Sequence, residues 1–112
     1  MNKVLITGSK GFIGKHLKKR LIKNNNLKVY EIKNSKTNIM DNQTWINLPK
    51  VDFVIHLASK NYLTIGKFSQ FKFIQESLNT TLKVIEYCLK SHSKLLFISS
   101  YVYGNAKLPT KE

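Results

Sequence analysis

The sequence predicts an α/β chain built on a parallel sheet, and three observations carry this. A short apolar strand, Lys3–Thr7, runs straight into glycines at positions 8, 11 and 14 and then into an amphipathic helical pattern. The near-continuous apolar run Val51–Ala58 has the character of a parallel strand buried on both faces. A long helical repeat, Phe71–Ser91, separates that run from a further apolar segment, Lys94–Ser99. Strands alternating with helices imply right-handed crossovers within one parallel sheet.

Each element has a local signal. The first helix runs from about Phe12 to about Asn24, where Asn24, Asn25 and Asn26 make a good stop because asparagine tolerates the left-handed conformation. Along it Ile13, Leu17 and Leu21 share one side, and Lys15, Lys18, Lys19 and Lys23 form a solvated face on the other. Lys28–Ile32 is the second strand. Lys33–Pro49 is polar and irregular, with one helical turn around Trp45. Val51–Ala58 is the third strand, followed by a loop to about Lys67. In the long helix Ile74, Leu78, Leu82, Ile85 and Leu89 recur at i+3 and i+4, so this stripe is expected to face the sheet. Lys94–Ser99 is the fourth strand, and the tail from Ser100, with Gly104 and Pro109, reads as a loop. The expected architecture is the first half of a Rossmann-like, doubly wound parallel sheet, residues 1–112, with strand order 3-2-1-4. The second half and a substrate domain are absent, which suggests a portion of a longer chain. Its fourth strand would then be an open apolar edge.

The glycine turn carries the chemistry. Gly8 supplies positive φ where the strand turns into the helix. Gly11 lets a pyrophosphate approach backbone N–H groups, and Gly14 permits close helix–strand packing. The unpaired amides and dipole at the helix start form an anion site. The first gap is one residue longer than in G-x-G-x-x-G, but the strand before and the helix after supply the required context. Binding of a dinucleotide follows.

Composition narrows the alternatives. The chain has 112 residues and a formal net charge of +13. That length suits one small domain with its own core. No apolar run is long enough to cross a membrane, and the first residues enter a strand rather than a secretory signal. Cys88 is the only cysteine, so no disulfide framework or cysteine-based zinc site is expected, and a reducing cytoplasm is the simplest compartment. The positive charge raises nucleic-acid binding. Arg20 is the sole arginine, however, and the lysines are spread along the chain, whereas phosphate and base recognition favours arginine.

Three ordered motifs add specificity. Thr7-Gly8-x-x-Gly11-Phe12-Ile13-Gly14, Val51-Asp52-x-Val54-Ile55-His56-Leu57-Ala58 and Phe97-Ile98-Ser99-Ser100-x-Val102-Tyr103-Gly104 resemble the extended short-chain dehydrogenase/reductases. More narrowly, the chain resembles the N-terminal portion of the NAD-dependent epimerase/dehydratase group acting on nucleotide sugars. The resemblance implies cofactor contacts at Gly8, Gly11, Phe12, Ile13 and Gly14, and at Leu57, Ala58 and Ser59 beside the third strand's end. It implies that Ser99, with Ser100 as the neighbouring candidate, hydrogen-bonds the reacting oxygen. It also implies a homodimer for the complete protein. Where the family often ends the second strand with Asp for the adenosine ribose, this chain has Lys33, which can neutralise a 2′-phosphate and tilts the expectation from NAD toward NADP. Glu31 is the alternative ribose acceptor in a register shifted by two. Asp41 corresponds to the acidic residue near the adenine. The long helix's usual Asn aligns with Ser77, and Asn79 lies two residues away.

The family's base is a Tyr with a Lys four residues later on a helix after Val-Tyr-Gly, and the 112 residues contain no such helix. Tyr103 and Lys107 have the spacing, but they lie in a loop only a few residues after Ser99. The chain alone is therefore expected to be inactive. Two other classes compete with the enzyme portion: a non-catalytic dinucleotide-binding or interaction module, and a basic nucleic-acid-binding domain. His56 in an apolar strand reads as a packed core residue. Cys88 reads as a buried inert thiol. Phe68, Phe71 and Phe73 read as core, with a dimer interface as the alternative. The carboxylates are too scattered for a metal site.

Overall fold

The computed structural model describes residues 1–32, 39–58 and 70–98, without the side chains of Gln70 and Phe73. Lys33, Ser59, Phe68, Ser99, Ser100, Tyr103 and Lys107 lie outside the described residues. The elements run β1 (Asn2–Thr7), α1 (Phe12–Ile22), β2 (Leu27–Glu31), α2 (Asn42–Ile46), β3 (Phe53–His56), α3 (Gln70–Ser91) and β4 (Lys94–Phe97). The strands form one parallel sheet in the order β2-β1-β3-β4. The α/β class and the Rossmann-like parallel sheet are as the sequence predicts.

The strand order differs from the expected 3-2-1-4. β3 pairs with β1, on the side away from β2. Burial explains why. Val4, Leu5, Ile6 and Thr7 are all buried, so β1 needs a neighbour on each side. β2 carries Lys28 and Glu31 and is only partly buried, which suits an edge and not an interior position. Asp52 locks the junction: its backbone N–H donates to the Lys3 carbonyl at 2.9 Å, and its carboxylate accepts from the Lys3 N–H at 2.7 Å. The chain thus winds one way from β1 to β2 and the other way from β1 to β3. The carboxyl ends of β1 and β3 form the switch point where open α/β sheets bind their ligands.

One face of the sheet carries the main core. Leu5 and Val54 pack there with Ile32, Ile39, Val51, Val84, Tyr87 and Cys88. The Tyr87 hydroxyl donates to the Pro49 carbonyl at 2.8 Å, and the Trp45 indole N–H donates to the Ile39 carbonyl at 2.7 Å, so both aromatic groups bury their rings with the polar end satisfied. Burial also pushes the Cys88 thiol pKa up, as an inert core cysteine requires. On the opposite face Val4, Phe53, Ile55 and Leu96 line an apolar trough beside Leu21 of α1.

α3 corrects a second expectation. Ile74, Leu78, Leu82, Ile85 and Leu89 do not face the sheet; all are exposed, Leu89 to 72%, and so is Phe71. The buried side is Val84, Tyr87, Cys88 and Ser91. Polar members of that side are tied down: Ser91 donates to the Tyr87 carbonyl, and Thr81 meets His56. The helix therefore has two apolar sides, and the aliphatic one is turned outward. α1 departs in the same manner on a smaller scale. Gly14 is buried and Leu17, Lys18 and Leu21 are half-buried, while Ile13 is exposed.

Candidate functional site at the carboxyl ends of β1 and β3

Gly8 follows β1 with φ of +76°, and a Cβ there would lie 2.7 Å from the Ala58 nitrogen. Only glycine lets the turn cross the end of β3 this closely. At Gly14 a Cβ would meet the Gly8 carbonyl oxygen at 2.1 Å, so that glycine lets α1 press on the turn. Gly11 is different. Its backbone is extended (φ −73°, ψ 175°), and among the described residues a Cβ would meet nothing nearer than the Gly8 oxygen at 3.4 Å. Packing among the described residues requires glycine at positions 8 and 14, but not at 11.

Gly11 is also the N-cap of α1. No side chain caps the helix, and no acidic residue stands in its first turn. Phe12 and Ile13 are exposed at this end. The dipole of an eleven-residue helix therefore points toward the turn with no anionic side chain of its own to meet it. A β1-turn-α1 end built this way fits a phosphate.

Thr7 ties the end of β1 to the end of β3. Its Oγ1 accepts from the backbone N–H groups of Leu57 and Ala58, both at 3.1 Å, with Leu57 shared with the Thr7 carbonyl. The same hydroxyl lies 2.6 Å from His56 Nδ1. His56 is buried, as its place in an apolar strand implies, and its Nε2 lies 3.4 Å from Thr81 Oγ1. Burial lowers its pKa below the ordinary 6.5.

Glu31, the last residue of β2, reaches the glycine turn. Its Oε2 accepts from the Ser9 hydroxyl at 2.6 Å and its Oε1 pairs with Lys18 Nζ at 2.8 Å. Lys18 thus leaves the solvated lysine face for which its spacing argues. Asp41 caps α2, accepting from the Gln43 N–H at 2.9 Å. On α3, Ser77 is half-buried and Asn79 exposed.

The structure brings Gly8, Gly11, Gly14, Leu57 and Ala58 to one sheet end. Lys33, Ser59, Ser99 and Ser100 lie outside the described residues. Sequence reasoning missed the Thr7 clamp and the Ser9–Glu31–Lys18 group. A signal for the second existed, since Glu31 stands twenty residues after Gly11, the interval at which an acidic ribose partner follows such a turn. Among the described residues no group of three or more His, Cys, Asp or Glu side chains could hold a metal ion, and no helix is long and apolar enough to cross a membrane.

Comparison with known proteins agrees with this geometry. The bifunctional polymyxin resistance protein ArnA of Wigglesworthia glossinidia brevipalpis is 30% identical over 96% of this chain and 19% of its own length. RMD from Pseudomonas aeruginosa, solved in complex with NADPH, superposes with a TM-score of 0.79 at 26% identity, over 100% of this chain and 41% of that one. The UDP-N-acetylglucosamine 4-epimerase from Methanobrevibacter ruminantium M1 does so with a TM-score of 0.78 at 27% identity, over 99% of this chain and 42% of that one. The chain spans between 19% and 35% of the length of the curated relatives it matches. The sequence model of the NAD dependent epimerase/dehydratase family matches residues 4–112, and with the glycine turn, the parallel sheet and the switch point in place, the chain belongs to that family.

Proposed function

We propose that this chain is the nicotinamide-dinucleotide-binding portion of an enzyme that acts on a nucleotide sugar as an epimerase, dehydratase or reductase. The observation that carries the reading is Gly11. Glycine there answers no demand of packing among the described residues, and it sits at the uncapped start of α1. A pyrophosphate lying against this backbone supplies the missing reason.

In this reading Gly8, Gly11, Phe12, Ile13 and Gly14 form the phosphate cradle, and Leu57, Ala58 and Ser59 border the cofactor at the end of β3. Asp41 serves the adenine side. The bound dinucleotide takes up and returns hydride at the sugar. Ser99, with Ser100 as the alternative, donates a hydrogen bond to the reacting oxygen and steadies developing negative charge there. Lys33 draws a 2′-phosphate and favours NADP. Glu31 supports the second reading, NAD, because a carboxylate beside Ser9 of the turn accepts from a ribose diol and repels a 2′-phosphate.

Calorimetric titration with NAD and with NADP tests both points. Gly11→Val is expected to weaken binding at least about tenfold while leaving the circular dichroism spectrum unchanged, since its Cβ has room. Unchanged affinity would refute the cradle. Lys33→Asp shifts preference from NADP to NAD if Lys33 selects. Glu31→Gln selectively weakens NAD if Glu31 selects.

The reading extends to a homodimer formed through the outward stripe of α3. Phe71, Ile74, Leu78, Leu82, Ile85 and Leu89 fall within about 80° of arc at 100° per residue. Their spacing, 3-4-4-3-4, is nearly the same in reverse. An antiparallel copy therefore sets Phe71 near Leu89, Ile74 near Ile85 and Leu78 near Leu82, the self-complementarity a two-fold interface requires.

A further inference from the structure

The hydroxyl of Thr7 has one proton and two lone pairs. The backbone N–H groups of Leu57 and Ala58 occupy the lone pairs. The contact with His56 Nδ1 at 2.6 Å must then be made by the Thr7 proton, with Nδ1 accepting. The imidazole is consequently neutral and carries its proton on Nε2, on the side of Thr81 Oγ1. A second proton, on Nδ1, would leave two donors facing one another across this short contact. Thr7 could relieve that only by releasing an amide at the end of β3.

We propose that His56 is a positioning residue whose neutral Nε2–H form holds Thr7, and through it the Leu57–Ala58 edge of the cleft, in the shape that accepts a dinucleotide. Binding therefore weakens as His56 takes up a proton. The inference rests on the dinucleotide reading of the site. Among the described residues, the groups that meet His56 are Thr7 from β1, Thr81 from α3 and the Phe97 ring from β4, at 6.0 Å between ring centroids, and none of these three carries charge. Burial acts on the imidazole and favours the neutral form. The sign follows. Acid must protonate a group that the folded, ligand-competent state keeps neutral, so affinity is full above the ordinary histidine range and falls as pH drops through the lowered pKa.

Two measurements decide this. The first is the ¹⁵N shift pattern of the His56 ring near pH 7.5 in the chain without ligand. The Nε2–H tautomer is expected, and an Nδ1–H tautomer or an imidazolium would overturn the proposal. The second is the affinity for NAD between pH 8 and pH 5. NAD is chosen because it lacks the titrating 2′-phosphate of NADP. A His16→Gln background removes the imidazole beside Phe12 on α1, whose ring centroid lies 5.0 Å away. Affinity should fall with a slope that approaches tenfold per pH unit below the His56 pKa. His56→Asn, whose Oδ1 can accept in place of Nδ1 but does not titrate in this range, should flatten the slope. Retained NAD binding with no slope in the His16→Gln background overturns the coupling alone. A chain with the expected tautomer that binds neither NAD nor NADP at any pH overturns the dinucleotide reading and the coupling with it.

Discussion

Gly8 and Ala58 are in backbone contact: a Cβ on Gly8 would stand 2.7 Å from the Ala58 nitrogen and 2.9 Å from its Cα. Neither atom can retreat, because the Ala58 N–H is held by Thr7. Gly8→Ala should therefore cost about 3 kcal/mol, from the left-handed backbone and the collision together. Gly11→Ala, where the added carbon meets the Gly8 oxygen at 3.4 Å, an ordinary contact, should change stability by less than about 1 kcal/mol. Urea unfolding of the two variants side by side checks this, and equal effects would contradict the assignment of Gly8 to packing and Gly11 to ligand.

The stripe on α3 makes a prediction about association. Leu78 and Leu82, at the centre of the near-palindrome, are exposed to 58% and 60%. Leu78→Lys with Leu82→Lys should leave helix content unchanged, because neither side chain belongs to the buried core. Combined with Leu96→Lys, which places a charge on the exposed β4 edge, it should shift sedimentation from associated species to monomer. A wild-type chain that sediments as a monomer at all concentrations would exclude the interface.

The 112-residue chain should turn over no nucleotide sugar with NAD or NADP. The only Tyr-x-x-x-Lys spacing it offers is Tyr103 and Lys107, and a missing general acid–base group typically costs about 10²–10⁴ in rate. β4 is an edge among the described strands, with Leu96 and Phe97 more than half exposed. Self-association along this edge should therefore persist in the α3 double variant and fall with Leu96→Lys. Activity measured from a clean monomer would return Tyr103 and Lys107 to consideration.

His92 ends α3 with φ of 55°, while the Ser93 N–H bonds the Cys88 carbonyl at 3.0 Å. This closure normally uses glycine after the helix. His92→Gly should raise stability by about 0.5–1 kcal/mol, the relief of left-handed backbone strain less the added freedom of the unfolded chain. A thermal midpoint that falls would count against the assigned geometry.

Local chemistry made much of this protein legible in its sequence. Glycines after an apolar strand mark a tight turn into a helix because only glycine combines positive φ with close backbone approach. Short apolar runs and period-3.6 patterns place β1, α1, β3, α3 and β4 within a few residues of where they stand. The buried Cys88 and the turn at Trp45 follow from the same local rules. Tertiary structure decided what depends on which neighbour an element finds. β3 joins β1 and not β2 because Asp52 clamps Lys3 and because β2 carries charge suited to an edge. α3 offers two apolar sides, and periodicity alone cannot say that Val84, Tyr87 and Cys88 meet the sheet while the leucines face outward. The Thr7–His56 and Ser9–Glu31–Lys18 contacts join residues 49, 22 and 13 positions apart. Beyond the twenty-residue interval from Gly11 to Glu31, no sequence pattern encodes them; the parallel sheet makes them by bringing the ends of β1, β2 and β3 together.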